Sequence, residues 1–217
     1  MIKVSAYRSV PPFARGLVRD LRVRWALEEA GLPYETRLLG PGEKTSAAYR
    51  ALQPFGQVPA FEEDGLALFE SGAIVLHIAE CSDALMPADA HARARMITWM
   101  FAALNTLEPH IQNLVALELF HASEEWAKQR RPALLEAAQT RLAALSNCLE
   151  GRDYLEHRFT AADLLMTTVL RVADRARLLA NLPIVDAYRL RCEARPAFKK
   201  ALASQMADFT EEVRAAS

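Results

Sequence analysis

QPFGQVPAFEEDGLALFESGAIVLHIAE, residues 53–80, holds the most informative run of residue types in the chain. Pro59 directly follows Val58 inside a strand-like stretch, where proline removes a ladder hydrogen bond. That placement predicts a special backbone, a cis peptide in a tight bend. Such a bend leaves the Val58 N–H and C=O to pair with an extended peptide ligand, as an added strand does. Asp64-Gly65, between the strands QVPAFEE and LALF, is a strong hairpin signal. Glu70-Ser71 then sits between LALF and a helix that begins near Gly72. A helix start offering a hydroxyl and unsatisfied N–H groups suits a carboxylate.

Upstream, IKVSAY reads as a first strand, with Ile2, Val4 and Ala6 alternating with Lys3, Ser5 and Tyr7. Leu17, Val18, Leu21, Trp25 and Ala26 recur at helical spacing until Gly31 and Pro33. YETRLL is a second strand, GPGEKTS a loop, and a short helix lies around Ala47–Leu52. The order β-α-β-α-β-β-α, with a right-handed crossover, makes strand 2 parallel to strand 1 and adds the antiparallel hairpin.

Downstream, SDALMPADAHA (82–92) carries turn and breaker residues. Beyond it nothing reads as a strand. Segments near 90–121, 123–150, 160–176, 184–194 and 196–214 have helical apolar spacing. Thr160 and Asp163 in FTAADL form a capping box, flanked by Phe159 and Leu164 as a hydrophobic staple. The expected organisation is an α/β domain over 1–80, a linker over 81–92 and an all-α domain over 93–217.

Composition narrows the function classes. With 26 Lys and Arg against 27 Asp and Glu, the net charge of −1 leaves no electrostatic footprint for nucleic acid. Cys81, Cys148 and Cys192 are widely spaced and lack ligand or CxxC spacing, so no metal is expected and the thiols read as reduced. MIKVSAY has no signal-peptide character, and the apolar runs are short for a membrane span. The expectation is a cytoplasmic protein with no membrane partner.

The 53–80 block resembles cytosolic glutathione transferases of bacterial type. WALEEAGLPYE (25–35) is similar to that family's first helix and second strand, and RFTAADLL (158–165) to its capping motif. The resemblance implies a thioredoxin-like N-terminal domain and an all-α C-terminal domain. It implies that Gln57, Val58 and Pro59 hold the cysteinyl backbone of glutathione. Ser71 would take the γ-glutamyl carboxylate, Glu70 its ammonium and Lys44 the glycyl carboxylate. Glutathione, a tripeptide with two carboxylates and an ammonium, matches those groups chemically. The implied activity is conjugation of the glutathione thiolate to electrophilic, mostly apolar molecules, a detoxification chemistry, in a homodimer using helices near 70–81 and 90–121. Glutathione-dependent peroxidase, isomerase or lyase chemistry, or binding without catalysis, are the alternatives.

The thiol-activating donor is the departure from that pattern. Gly16, Leu17, Val18 and Arg19 occupy the positions where a Ser or Cys is expected. Tyr7, Ser9 and Arg15 are the remaining catalytic candidates. Tyr7 ends strand 1, on the face of Lys3 and Ser5, where a packing or surface tyrosine is equally consistent. Arg15 and Arg19 form an i, i+4 pair, with Arg22 extending the stripe, and can stabilise an anion, a bound thiolate or carboxylate, electrostatically, so Arg19 is also expected among the glutathione-binding residues. A solvated basic face paired with Asp20, Glu28 or Glu29 is the other reading. Gln53 and His157 stand where the family often has asparagine and glycine, which predicts local differences in two turns. For the second substrate, Trp99, Met100, Phe101, Leu104, His110 and Phe120 are candidates; Trp99, Phe101, Leu104 and His110 are expected to wall its pocket.

Overall fold

A computed structural model describes residues 1–209. Two compact units divide the described residues: Met1–Met86 together with those from Ala194 onward, and Pro87–Glu193.

In the first unit, strands β1 (Ile2–Tyr7), β2 (Tyr34–Leu39), β3 (Ala60–Glu63) and β4 (Leu66–Phe69) form a sheet in the order β2-β1-β3-β4. β1 and β2 are parallel, in the register Ile2 to Tyr34 through Tyr7 to Leu39. β3 runs antiparallel to both β1 and β4. The helices are α1 (Asp20–Ala30), α2 (Ala47–Arg50), α3 (Ser71–Glu80) and, from the far end of the chain, α9 (Pro196–Asp208). Asp64 and Gly65 both take positive φ, 47° and 88°, as a two-residue turn matched to the strand twist requires.

Ile2, Val4 and Ala6 are buried on one face of β1. The opposite face is not simply solvated: Ser5 is only 3% exposed, because Tyr49 of α2 hydrogen-bonds over it. That cover extends toward Tyr7, which packs against a cluster of Leu39, Tyr49, Val58 and Ala60. Tyr7 is therefore a half-buried packing residue with a polar tip, not a surface one.

The first helix starts later than its apolar spacing predicts. A 3-10 turn at Pro12–Ala14 is followed by turns through Gly16, whose φ is 75°, and α1 begins at Asp20. Arg15 ends the 3-10 turn, and Arg19 is the N-cap of α1, so the two are not an i, i+4 pair on one helix. Every residue from Asp20 to Leu27 is buried. The solvated basic face is thereby corrected for Arg22, which points inward at 4% exposure, and Arg24 beside it is fully buried.

α9 explains that burial. Trp25 and Phe198 stack edge to face at 4.8 Å, and Arg195 grips Glu29 through two bonds of 2.6 and 2.7 Å. Arg24 donates to Asp20 at 2.8 Å, to Ser204 at 3.0 Å and to Asp208 at 2.5 Å. The Gln205 amide donates to Asp20 at 2.8 Å and to the Val18 carbonyl at 3.1 Å. A residue near the end of the described chain thus fixes the segment that leads into α1. The predicted final helix runs to Asp208; positions 210–214 lie outside the described residues.

The second unit is helical: α4 (Ala90–Phe101), α5 (Glu108–Phe120), α6 (Glu125–Cys148), α7 (Ala161–Arg175) and α8 (Pro183–Glu193). A π-helical segment, Ala102–Leu107, joins α4 to α5 within the predicted 90–121 helix. The Thr160–Asp163 capping box opens α7. Asp163 also accepts from the Leu155 N–H at 2.9 Å and the Tyr188 hydroxyl at 2.8 Å, which ties the preceding turn to α8. The turn carrying His157 therefore delivers its backbone to the same carboxylate. Among the described residues no helix is long and apolar enough to cross a membrane.

Candidate functional site

Three segments of the first unit present the polar groups singled out from the sequence. The first is the bend 53–59. Gln53 is buried, and its Oε1 accepts the Phe55 N–H at 2.8 Å while its C=O accepts from Gly56. The glutamine thus closes the turn through both its side chain and its carbonyl. Gly56 has φ 65°, and a Cβ there would meet the Lys44 carbonyl at 2.9 Å, so only glycine lets the Lys44 loop sit against the bend. The Val58-Pro59 peptide is cis. Among the described residues, the Val58 N–H and C=O have no hydrogen-bond partner. Both are main-chain groups that an extended peptide can pair with.

The second segment is the β4–α3 junction. Glu70 is the N-cap of α3 with φ 67°, a left-handed conformation unusual for a residue with a side chain. It leaves the Glu70 carboxylate exposed and starts the helix at Ser71, which is 5% exposed. The first N–H groups of α3 have no intrahelical acceptor, so the junction carries partial positive charge. Arg22 adds a full charge from below: its Nη1 donates to Ser71 Oγ at 3.1 Å. Because Ser71 Oγ accepts that bond, its own hydrogen is directed elsewhere. Arg22 was missed as part of this junction, since its spacing from Arg15 and Arg19 reads as a surface stripe.

The third segment runs from Tyr7 to Arg19. Tyr7 packs against the cluster of Leu39, Tyr49, Val58 and Ala60, and its hydroxyl has no hydrogen-bond partner among the described residues. Burial first, and the nearby Asp20 carboxylate second, push the Tyr7 phenol above its ordinary pKa, so it stays a donor. Ser9 is half-buried in the loop after β1, Arg15 is half-buried, and Arg19 is exposed. The structure therefore brings Tyr7 to the core cluster that includes Val58, Arg22 to Ser71 and the Lys44 loop to Gly56. The Lys44 ammonium and the Glu70 carboxylate are exposed and have no side-chain partner among the described residues.

In the second unit Trp99 and His110 are half-buried on α4 and α5, and Leu104 is half-buried in the π-helical segment. Phe101 is 60% exposed. Burial, then the Arg141 charge, lowers the His110 pKa.

These features define a protein with a thioredoxin-like sheet domain, a helical region, and a cis-proline bend beside a carboxylate-suited helix start. Residues 14–80 match the N-terminal domain model of glutathione S-transferases. A glutathione S-transferase of Silene vulgaris is 30% identical over 206 residues, covering 85% of this chain and 92% of its own. A disulfide-bond oxidoreductase of Escherichia coli is 30% identical over 194 residues, covering 81% and 86%. A crystal structure of a glutathione transferase family member from Pseudomonas fluorescens, with two glutathione bound, superposes with a TM-score of 0.81 at 25% identity, covering 93% and 92%. The chain belongs to the glutathione S-transferase family.

Proposed function

We propose that this protein binds glutathione on its first unit and transfers the glutathione thiolate to electrophilic, mostly apolar small molecules in the cytoplasm. The observation that carries the reading is the set of polar groups there that retain donors or acceptors for a ligand. The Val58 main chain, the Lys44 ammonium, the Glu70 carboxylate and the Ser71 hydroxyl at the start of α3 complement a tripeptide with two carboxylates and one ammonium. The glutathione held by the Pseudomonas fluorescens relative supports the same reading.

In this account Gln57, Val58 and Pro59 align the cysteinyl backbone, Ser71 and Glu70 take the γ-glutamyl end, and Lys44 takes the glycyl carboxylate. Tyr7 donates a hydrogen bond to the thiolate, which lowers the thiol pKa and supplies the nucleophile. Ser9, Arg15 and Arg19 are the alternative stabilisers of that anion. Trp99, Phe101, Leu104 and His110 contact the electrophile. Disulfide-exchange chemistry through a protein thiol is disfavoured because no cysteine lies near the start of α1.

Calorimetric titration with glutathione tests the site. Glu70→Ala and Ser71→Ala should each weaken binding about tenfold or more, the worth of one charge-assisted hydrogen bond. Undiminished affinity in both would overturn the assignment.

We also propose a homodimer. Phe55 and Phe69 are 65% and 37% exposed, and their rings meet at 6.0 Å. A clustered apolar surface of this kind marks an interface more often than scattered residues do. Sedimentation at micromolar concentration should give twice the 24.2 kDa chain mass; a single-chain mass would refute it.

A further inference from the structure

We propose that Ser5 and Tyr49 are positioning residues: a two-hydroxyl relay that holds the Val58-Pro59 bend in the shape that receives the peptide. The inference rests on the glutathione-binding reading above. It extends that reading to two buried side chains that touch no ligand.

The geometry leaves little freedom. The Tyr49 hydroxyl lies 2.6 Å from the Gln57 carbonyl oxygen and 2.7 Å from Ser5 Oγ. The Ala60 N–H donates to Ser5 Oγ at 2.6 Å. A carbonyl can only accept and an N–H can only donate, so both ends of the relay are fixed. The one hydrogen of Tyr49 must go to Gln57. The 2.7 Å contact then takes the hydrogen of Ser5, which is left as acceptor for Ala60. Each hydroxyl gives one bond and receives one, with no slack.

What the relay spans matters more than its strength. Gln57 precedes the Val58-Pro59 pair and Ala60 follows it, so the two anchors clamp the bend from both sides. Backbone pairing cannot do this locally, because Pro59 has no N–H and the Val58 main-chain groups are unpaired among the described residues. The anchors come from separate elements, Ser5 from β1 and Tyr49 from α2, at 3% and 0% exposure. Tyr49 also packs with Val58, Leu39 and Ala60, so its ring fills the core while its hydroxyl sets the carbonyl. Removing the hydroxyl preserves the packing and releases the bend. The Val58 N–H and C=O then lose the fixed spacing that a peptide partner needs.

Tyr49→Phe is the direct test, with glutathione and its analogue N-methylated at the cysteinyl amide as probes. The expected result is about tenfold weaker glutathione affinity and a matching rise in KM, with kcat and the pKa of the bound thiol held. The wild type should bind the N-methylated analogue weakly, and Tyr49→Phe should weaken it no further, since that contact is already lost. Ser5→Ala should act in the same direction, Ser5→Thr should retain affinity, and the double variant should cost no more than the worse single one. If Tyr49→Phe fails to fold, the two Ser5 variants decide the matter by the same measurements. Unchanged glutathione affinity in the variants, or equal losses for both probes, would overturn the relay. A wild type that binds no glutathione would instead overturn the functional reading on which it stands.

Discussion

Arg22 shows how a single side chain gains a role from its surroundings. Its guanidinium is buried and donates to Ser71 Oγ, so the serine hydrogen is left for whatever occupies the start of α3. A bound carboxylate there would feel the helix dipole, the hydroxyl and a buried cation together. Replacing Arg22 by Met should weaken glutathione binding about tenfold or more, with Arg22→Lys losing less. Equal affinities in a calorimetric titration would show that the charge plays no part. The residues proposed to meet the ligand, Val58, Glu70, Ser71 and Lys44, stand out in the sequence because their chemistry follows from what they are and where a strand or helix begins. Arg22 and Tyr49 do not, because their contribution depends on burial and on partners 49 and 8 positions away.

At the level of elements, local signals carried well and distant ones did not. The Asp64-Gly65 hairpin and the Thr160–Asp163 box each close within a few residues, so the sequence displays both halves of the interaction. The start of α1 does not, since Gln205 and Asp208 hold it from the far end of the chain. Helical apolar spacing therefore placed the helix start three residues early, over a segment that the structure builds as turns. The α1–α9 junction also makes stability depend on pH. Burial, opposed by Arg24 and Gln205, raises Asp20 from its ordinary 3.8 to about 6. A carboxyl whose folded pKa is raised binds its proton more tightly in the native state. Its contribution is therefore complete below about pH 4 and is lost as pH rises through about 6. The shift of about two units corresponds to about 3 kcal/mol. Urea unfolding from pH 4 to 7 should show the stability of the wild type relative to Asp20→Asn falling by about that amount. Parallel curves would contradict it.

For the whole molecule, the family and both kinds of unit were legible because the 53–80 block and the helical spacing beyond it are strong, separate signals. The thiol-activating group was harder to read. The segment between β1 and α1 carries no Ser or Cys near the helix start, and strand alternation alone could not tell a surface tyrosine from a buried one. Tyr49 lying over Ser5 changes that, since Tyr7 packs against the cluster of Leu39, Tyr49, Val58 and Ala60 on the covered face with its hydroxyl uncommitted among the described residues. The central claim is that glutathione bound on the first unit is ionised by Tyr7. Titrating the ultraviolet absorbance of the bound thiolate against pH tests it most directly. The account predicts a thiol pKa about one to two units below that of the free thiol, largely restored in Tyr7→Phe with glutathione still bound. An unshifted pKa in the wild type, or a depressed one that survives in Tyr7→Phe, would contradict it.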